Sequence, residues 1–440
     1  MCPPEPASPA SLSLPADAVL IHVGPFKTGT TAIQASLSEH RDDLADHGVW
    51  YPGPAMRLAR EVWSLRGGSP RGYRTLGPEV WEEFVAQVPA HPGRIALSAE
   101  EFVTLRSDRI GKLVADLGPD RVHIVMVARR LEALIPSSWQ EWIKSTYGSM
   151  SYEQYVEDLM DPASTATAAV AFWHSHDIGA VLRRWREHLP GDRITVLVAD
   201  EGDRERLARV LEEMLDLPGG LLRPGQQENA SLTWARTEMY RRLNDFFAAH
   251  DWGERTWRRM MRQGVMQGLM SAPRGPGEAP IPPVPAVARD WLARLSAERE
   301  QAVRDAGVRV LGDPAALRFT AAGATDRLPA PPTELPIDAA VAAVSALVEV
   351  SVEEQEAIRE RVRSREVERR RALKRDLRRA HRRAQRQAVR RARRQAQRRA
   401  QRRAAAPAVD PLAGVSSTDL LGEIARRQGA RLRRTVRRRR

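Results

Sequence analysis

One apolar run and the loop behind it constrain the fold of this chain more than any other segment. Residues 18–23 (AVLIHV) lead directly into residues 24–31 (GPFKTGTT), and a helical pattern with apolar residues on one face extends over residues 32–46. This order predicts a buried strand, a tight loop rich in glycine and threonine, and a helix. Because N–H groups at the start of a helix carry positive partial charge, the loop is suited to hold an anion.

Further short apolar runs repeat this pattern along the chain. Residues 94–98, 122–127 and 194–198 each indicate a strand between turns or helical stretches, and residues 48–51 form a fifth candidate. Strands that alternate with helices are typical of parallel βαβ units. We therefore predict an α/β protein, a P-loop-like three-layer sandwich in which helices flank a central parallel sheet, plus a long basic C-terminal helix.

Charge is divided unequally along the chain. The 440 residues have a formal net charge of +13, but residues 359–440 contain 31 Lys and Arg against 7 Asp and Glu, so this segment is +24 and residues 1–358 are −11. The asymmetry predicts that the basic tail contacts a polyanion, such as nucleic acid, an anionic membrane surface or a glycan, or else the acidic body of the same chain.

Shifts in composition indicate the domain organisation. The predicted segments are a disordered leader (1–17), a large α/β domain (18–315) with a Pro-rich excursion (272–287), a linker (316–337), a long Arg-rich helix (338–405) and a disordered basic tail (406–440). Residues 338–404 contain neither proline nor glycine. An uninterrupted helix with little to pack against is therefore expected there.

The cysteine content and the N-terminus bear on the compartment. Cys2 is the only cysteine, so neither an intrachain disulfide nor a cysteine-based zinc site can form. No stretch has the pattern of a signal peptide, and none approaches 18 uncharged apolar residues. We expect a cytoplasmic protein without a transmembrane segment, with peripheral membrane contact left open by the basic tail.

The position of Lys27 separates this loop from an ordinary ATP-binding loop. The Walker A pattern is Gly-x-x-x-x-Gly-Lys-Ser/Thr, whereas here the lysine precedes Gly29. Lys27 supplies a point charge, and Thr28, Thr30 and Thr31 supply hydroxyl donors. The loop therefore predicts an anion site, and the alternative is a turn that only caps the helix.

The order Gly-x-x-Lys-Thr-Gly-Thr-Thr after a strand resembles the 5′-phosphosulfate loop of bacterial-type sulfotransferases that use 3′-phosphoadenylyl sulfate (PAPS). The resemblance implies transfer of a sulfuryl group from PAPS, without a metal, to a hydroxyl or amine acceptor, with carbohydrate as one candidate. It implies Lys27 as the catalytic cation at the leaving oxygen, where a fixed charge stabilises the transition state most. The donor-binding residues implied by the loop are Gly24, Lys27, Thr28, Gly29, Thr30 and Thr31.

A second motif follows the predicted strand at 122–127. The segment ARRLEALIPSSW resembles the 3′-phosphate motif of the same family, in which an arginine at a strand end and a serine eight positions later hold the phosphate. Arg129 with Ser137 meets that spacing, and so does Arg130 with Ser138. Arginine suits this role because its planar guanidinium binds two phosphate oxygens at once.

The general base that must accept the acceptor proton is left open among three residues. The strand end Ser98-Ala99-Glu100-Glu101 resembles the Ser-Ser-Glu strand end of bacterial members of the family. Glu100 is the first choice and Glu101 the second, on the expectation that adjacent residues cannot both face the site. Alternatively, Ser98 and Glu101 form a capping box. His22 is either a third candidate base or a core histidine.

Two other interpretations of the chain stay open. One is a P-loop kinase-like phosphoryl transferase, for which Asp200 would be the Mg²⁺-binding aspartate. The other is an inactive α/β body in a polyanion-binding protein. The acceptor itself is not predicted, but four aromatic side chains could stack on a sugar or aromatic ring or belong to the core: Trp63, Trp142, Tyr147 and Trp173.

Overall fold

A computed structural model gives the architecture of this chain. It describes residues 11–68, 75–145, 149–223, 231–320, 324–325, 327–405, 418 and 421–427. Most of the predicted leader and most of the predicted basic tail, as well as Tyr147, lie outside the described residues. The body, within residues 1–354, and the segment 355–440 are separate compact units. The predicted domain boundaries stay predictions.

Six parallel strands form the central sheet, in the order β2-β3-β1-β4-β5-β7. Their bounds are β1 Val19–Gly24, β2 Val49–Trp50, β3 Arg94–Ser98, β4 Val122–Ala128, β5 Ile194–Val198 and β7 Arg309–Leu311, and a separate parallel pair is formed by β6 Val284–Pro285 and β8 Ala324–Thr325. Every residue of β1 is buried, as expected of a strand covered on both faces. The predicted α/β class with a central parallel sheet is confirmed.

Helices connect the strands and cover both faces of the sheet. Their bounds are α1 Thr30–Glu39, α2 Arg41–Asp46, α3 Ala59–Arg66, α4 Glu79–Val85, α5 Ser107–Leu117, α6 Leu131–Ser145, α7 Tyr152–Met160, α8 Thr167–His176, α9 Ile178–Arg186, α10 Arg206–Leu215, α11 Trp234–His250, α12 Gly253–Trp257, α13 Met266–Ser271, α14 Arg289–Asp305 and α15 Ile337–Ala404. A π-helical stretch, Arg258–Val265, joins α12 to α13.

The apolar core has three parts. On one face of the sheet, alternate residues of β1 pack with α3, α4, α5 and α9, and on the other face the remaining residues pack with α1 and α10. A third cluster lies among α6, α7, α8, α11, α13 and α14. Helices α6 and α11 therefore belong to a helical layer beside the sheet, and this layer supplies one wall of the cleft described below.

Two features of the body go beyond the sequence prediction. The edge strand β7 was not predicted, because three half-buried residues are too few to show a periodicity. The Pro-rich excursion is tied to the helical layer by a buried ion pair, in which Arg236 Nη2 lies 2.7 Å from Glu278 Oε2. The excursion is therefore fixed to the body by a polar contact that composition does not reveal.

Helix α15 confirms the predicted long helix, and the expectation that little packs against it holds beyond its first turns. Ala339, Ala343 and Val350 in its first turns are buried. Gly268 allows this approach, because a Cβ there would lie 2.2 Å from the carbonyl oxygen of Ala342. Beyond residue 355 the described helix is Arg-rich and almost wholly exposed. No described helix combines the length and apolar character that a membrane span requires.

Candidate functional site

The loop between β1 and α1 has the backbone shape of an anion cradle. Lys27 and Gly29 both have positive φ, at 66° and 90°. Gly29 is the N-cap of α1, and no described side chain caps this helix end. The first N–H groups of α1 therefore have no side-chain partner within the described residues and are available to an anion.

This loop opens into a large cleft with a volume of ≈ 2650 Å³. Lys27, Thr28, Gly29, Thr30 and Thr31 all line it. The Thr28 hydroxyl donates to the carbonyl of Pro25 at 2.7 Å, which closes the turn. The loop is thus both a turn that starts a helix and the floor of a cleft.

Gly24 lies behind the loop and not among the residues that line the cleft. Its φ is +94°, and a Cβ there would lie 3.4 Å from the Cα of Glu100. A side chain at this position would therefore be strained and would press on the backbone of Glu100. Gly24 therefore acts on the loop through its backbone conformation and its close approach to the backbone of Glu100, and it does not line the cleft.

Lys27 is held by a carboxylate that the sequence did not single out. Its ammonium lies 2.8 Å from Glu141 Oε2, and the ammonium of Lys144 lies 3.5 Å from the same oxygen. Burial opposes ionisation of Glu141, but the charges of Lys27 and Lys144 outweigh it and lower the pKa of the carboxyl to about 2. Glu141 follows Ser137 by one helical turn on α6, so helical spacing from the serine motif could have found it.

Arg129 joins the two predicted motifs. One terminal nitrogen of its guanidinium donates to the carbonyl of Lys27 at 2.8 Å. The Nε and the other terminal nitrogen each donate to one oxygen of Glu201 at 2.8 Å, a bidentate pair. The hydrogen bond from Arg129 and burial act in opposite directions on Glu201, and the net effect lowers the pKa of its carboxyl.

The structure places the two candidate pairs of the second motif differently. Arg129, Ser137 and Ser138 line the cleft, whereas Arg130 does not and lies 3.8 Å from Glu132. The Ser137 hydroxyl donates to the carbonyl of Ala133 at 3.0 Å. The Ser138 hydroxyl is buried and has no hydrogen-bond partner among the described residues. A buried hydroxyl without a partner beside a cationic cleft is available to donate a hydrogen bond to a bound anion.

Glu100 and Glu101 both line the cleft, which corrects the expectation that adjacent residues cannot do so. They open a 3₁₀ turn, Glu100–Thr104, in which side chains do not alternate as they do in a strand. Arg57 lies between them, 3.1 Å from Glu100 Oε2 and 3.1 Å from Glu101 Oε1. The other oxygen of Glu100 accepts the hydroxyl of Thr30, from the anion loop.

Burial is the largest influence on Glu100 and raises the pKa of its carboxyl, although Thr30 and Arg57 act in the opposite direction. The capping box is not formed: Ala99 is the N-cap of the 3₁₀ turn, and no side-chain cap is present there. Ser98 instead pairs with His22 at 2.9 Å.

His22 lies inside the sheet and not among the residues that line the cleft. Burial lowers the pKa of its imidazole to about 4, so the ring is neutral at pH 7. The sequence motifs are therefore brought together at one cleft with the exception of His22, Gly24 and Arg130, which lie next to it without facing it.

Arg57, Glu201 and Arg299 complete the site and were missed from the sequence. Arg299 is buried on α14 and donates to the carbonyl of Arg129 at 2.9 Å and to that of His176. It thus fixes the end of β4 from behind. Arg57 lies in a loop without periodicity, and Arg299 reads as part of an ordinary charged helix, so neither carried a sequence signal. No group of three or more His, Cys, Asp or Glu suited to a metal occurs among the described residues.

The aromatic candidates for an acceptor pocket divide in two. Trp63 and Trp142 line the cleft, whereas Trp173 packs edge-on against Phe172 and Trp291 and donates to the carbonyl of Leu159. Trp173 is therefore a half-buried residue that packs against the core of the helical layer.

Comparison with known proteins gives only distant likeness in structure. No protein-family model matches the chain, and no curated protein is similar to it in sequence. Among solved structures, the chain is similar to a sulfotransferase from Alicyclobacillus acidocaldarius, with 15% identity and a TM-score of 0.30 over 54% of this chain and 98% of that chain. A TM-score this low supports no argument about activity, so the site is interpreted from its own geometry.

Proposed function

We propose that this chain is a sulfotransferase that uses PAPS as donor and a hydroxyl or amine as acceptor. The observation that supports the proposal most is the hydrogen bond from Arg129 to the carbonyl of Lys27, which unites an anion loop and a phosphate-type arginine at one cleft. PAPS carries anionic groups at both ends of its nucleotide, and two such cationic places side by side fit it.

The residues present fit the donor chemically. The uncapped start of α1 and Lys27 suit the 5′-phosphosulfate, while Arg129 with Ser137 or Ser138 suits the 3′-phosphate. Arg130 does not line the cleft, so we assign the phosphate to Arg129. In the structure, Glu141 pairs with Lys27 and Glu201 pairs with Arg129. We expect the anionic groups of the donor to displace both carboxylates. Carboxylates as stand-in anions are consistent with sites built for negative charge.

The reaction assigns one task to each residue. The acceptor oxygen forms a bond to sulfur, its proton passes to a carboxylate, and the bond between sulfur and the bridging oxygen breaks. The negative charge then left on adenosine 3′,5′-bisphosphate is stabilised by Lys27. Glu100 is the preferred base, because it lies in the cleft, bonds to Thr30 of the donor loop and has a raised pKa.

Binding and turnover of single variants test the donor site. We expect adenosine 3′,5′-bisphosphate to bind the full chain without Mg²⁺ in isothermal titration, and Arg129→Ala to weaken binding by about tenfold or more, since a hydrogen-bonded charge is lost. Arg130→Ala is the matched control and should bind as the parent does. Lys27→Ala should abolish sulfuryl transfer while Lys112→Ala, an exposed lysine on α5, keeps it.

The outcomes separate the open interpretations. Mg²⁺-dependent binding of ATP in place of adenosine 3′,5′-bisphosphate would favour a kinase-like phosphoryl transferase. Binding of neither nucleotide would favour an inactive body in a polyanion-binding protein. Wild-type turnover by Lys27→Ala would refute the role given to the loop.

A further inference from the structure

A four-residue repeat extends through the C-terminal half of helix α15. Residues 378–405 consist of seven units of the form Arg-x-Ala-x, and the second position is also arginine in five of them. The first arginines of the units are Arg378, Arg382, Arg386, Arg390, Arg394, Arg398 and Arg402. We call residues 378–403 the arginine segment, which contains 13 arginines and neither Asp nor Glu.

The arginine segment presents its charge to solvent without neutralisation. All of its residues are exposed. The nearest ion pairs on either side of it along the chain join Arg370 to Glu366 and Arg426 to Glu423, and no described carboxylate pairs with an arginine of the segment. Like charges this close repel one another along the helix, so a bound polyanion that neutralises them stabilises the helical segment.

The repeat distributes the arginines around the helix and not along one face. An α-helix turns by about 100° and rises about 1.5 Å per residue, so each four-residue unit advances about 6 Å and about 40° around the axis. From Arg378 to Arg402 the first arginines therefore turn through about 240°. The second arginines lie about 100° further around the axis. Cations thus face nearly every direction around the arginine segment.

This distribution favours one kind of polyanion. A membrane surface contacts one side of a helix and requires an apolar face there, but Val389 is the only large apolar residue of the segment. Single-stranded nucleic acid is held by stacking on aromatic side chains, and the segment contains no Phe, Trp or Tyr. A groove of a duplex, in contrast, presents phosphates on both sides of an inserted helix.

We propose that the arginine segment binds double-stranded DNA through its phosphates, with the helix lying along the major groove. This groove is about 12 Å wide and admits an α-helix of about 10–12 Å diameter. The alanine of every unit limits the bulk of the helix, and arginines on opposite sides reach both flanking strands. The guanidinium suits this contact because it binds two phosphate oxygens at once. Duplex RNA fits less well, since its major groove is deep and narrow.

Fluorescence anisotropy of a labelled DNA duplex with the full chain tests the proposal. We expect the affinity to fall about a thousandfold or more from about 50 to about 200 mM salt, because about six or more neutralised phosphates release their counterions. Four competitors matched in charge should each displace the duplex less well than unlabelled duplex DNA does. They are duplex RNA of the same sequence, single-stranded DNA, a heparin fragment, and vesicles that contain phosphatidylserine.

Two variants with the same loss of charge connect the binding to the arginine segment. One variant removes four first arginines of the repeat: R382Q, R386Q, R390Q and R394Q. The control removes four exposed arginines of the same helix that are interspersed with glutamates: R359Q, R363Q, R365Q and R369Q. Glutamine keeps a helix propensity close to that of arginine, and far-UV circular dichroism verifies the helix. The slope of log K against log salt should become shallower by about 2–4 in the first variant and by less than about 1 in the control.

Three results would overturn the proposal. They are the absence of binding to duplex DNA at about 50 mM salt, an equal salt slope in the two variants, and tighter binding of any of the four competitors than of duplex DNA. The proposed DNA contact is independent of the proposed sulfuryl transfer. Lys27→Ala should therefore bind the duplex as the parent does, whatever the fate of the donor site.

Discussion

Glu100, the candidate base, is in direct contact with the loop between β1 and α1. Thr30 donates to one oxygen of its carboxylate and Arg57 to the other. Arg57 also contacts Glu101, so a single guanidinium separates two buried carboxylates that would otherwise repel each other. One arginine therefore orients both carboxylates, and its positive charge influences how readily Glu100 accepts a proton.

We predict that Arg57→Gln shifts the acid limb of the pH profile of kcat/KM to higher pH. The guanidinium favours the ionised form of Glu100, so its removal raises the pKa of this carboxyl further. A base must be ionised to act, and activity would then be lost at a higher pH as the solution is acidified. Arg60→Gln, an exposed residue on α3, is the control. An unmoved limb would argue against Glu100 as base.

We predict opposite effects of Glu141→Gln on stability and on nucleotide binding. Because the pKa of Glu141 is lowered, its contribution to stability is present above the pKa of the unfolded carboxyl and is lost as the pH falls towards about 2. The side chain is 36% exposed, and solvent screening limits the loss at pH 7 to about 1 kcal/mol. Released from this carboxylate, Lys27 should bind adenosine 3′,5′-bisphosphate more tightly.

Urea unfolding and isothermal titration measure the two effects of that variant. Glu157→Gln on α7, whose side chain does not line the cleft, should change neither. Weaker nucleotide binding by Glu141→Gln would show that the carboxylate orients Lys27 for the donor and does not compete with it.

At the scale of elements, the cleft is a junction between the sheet and the helical layer. The loop between β1 and α1 follows β1, Glu100 follows β3, Arg129 follows β4, and Glu141 comes from α6. The carboxyl ends of β1, β3 and β4, which are neighbours in the sheet, converge on one edge. The π-helical stretch forms part of the same cleft and packs with its other side on the first turns of α15.

We predict that Gly268→Ala lowers the free energy of unfolding of the body. A Cβ at this position would meet the carbonyl oxygen and carbon of Ala342, backbone atoms that cannot rotate away. Overpacking of this kind costs about 1–3 kcal/mol, which exceeds the gain in helix propensity of about 1 kcal/mol. Gly219→Ala, where a Cβ would meet no described atom within 4 Å, is the control in urea unfolding. Equal stability of the two variants would refute the contact with α15.

For the whole molecule, stability against acid depends on two neutral histidines inside the body. Burial lowers the pKa of His22 to about 4, and burial together with the charge of Arg299 lowers the pKa of His176 to about 3. Between the ordinary pKa of histidine and these lowered values, both rings are protonated in the unfolded chain and neutral in the folded chain. Their effect is separate from that of the carboxyl groups whose pKa is lowered in the folded chain, because those groups affect stability only below about pH 4.5.

We predict that the free energy of unfolding decreases as the pH falls below about 6.5, the ordinary pKa of histidine. Each of the two groups contributes a slope of about 1.4 kcal/mol per pH unit, because the unfolded state binds more protons in this window. Urea unfolding at pH 7.5, 6 and 5 measures the slope. His176→Gln should reduce it, and His47→Gln, an exposed histidine, should not. A flat profile would contradict neutral buried rings.

Much of the site could be predicted from the sequence because its determinants are local. The loop from Gly24 to Thr31 follows an all-apolar strand, and Arg129 stands a fixed eight residues before Ser137 on one strand–helix unit. Such features are set by neighbours along the chain. Arg57, Glu201 and Arg299 could not be found in this way, since each meets its partner across at least 43 positions in sequence.

The sequence by itself determined the alternation of strands and helices, the place of the glycine- and threonine-rich loop between the first strand and its helix, and the division of charge between body and tail, because hydrophobic periodicity, turn residues and composition are local properties. Only the tertiary structure decided that Arg129 and not Arg130 faces the cleft, that Glu100 and Glu101 share it, and that Glu141 balances two lysines. These outcomes depend on which side chains are brought together when the strands register and the helical layer packs, and no pattern along the chain encodes such distances.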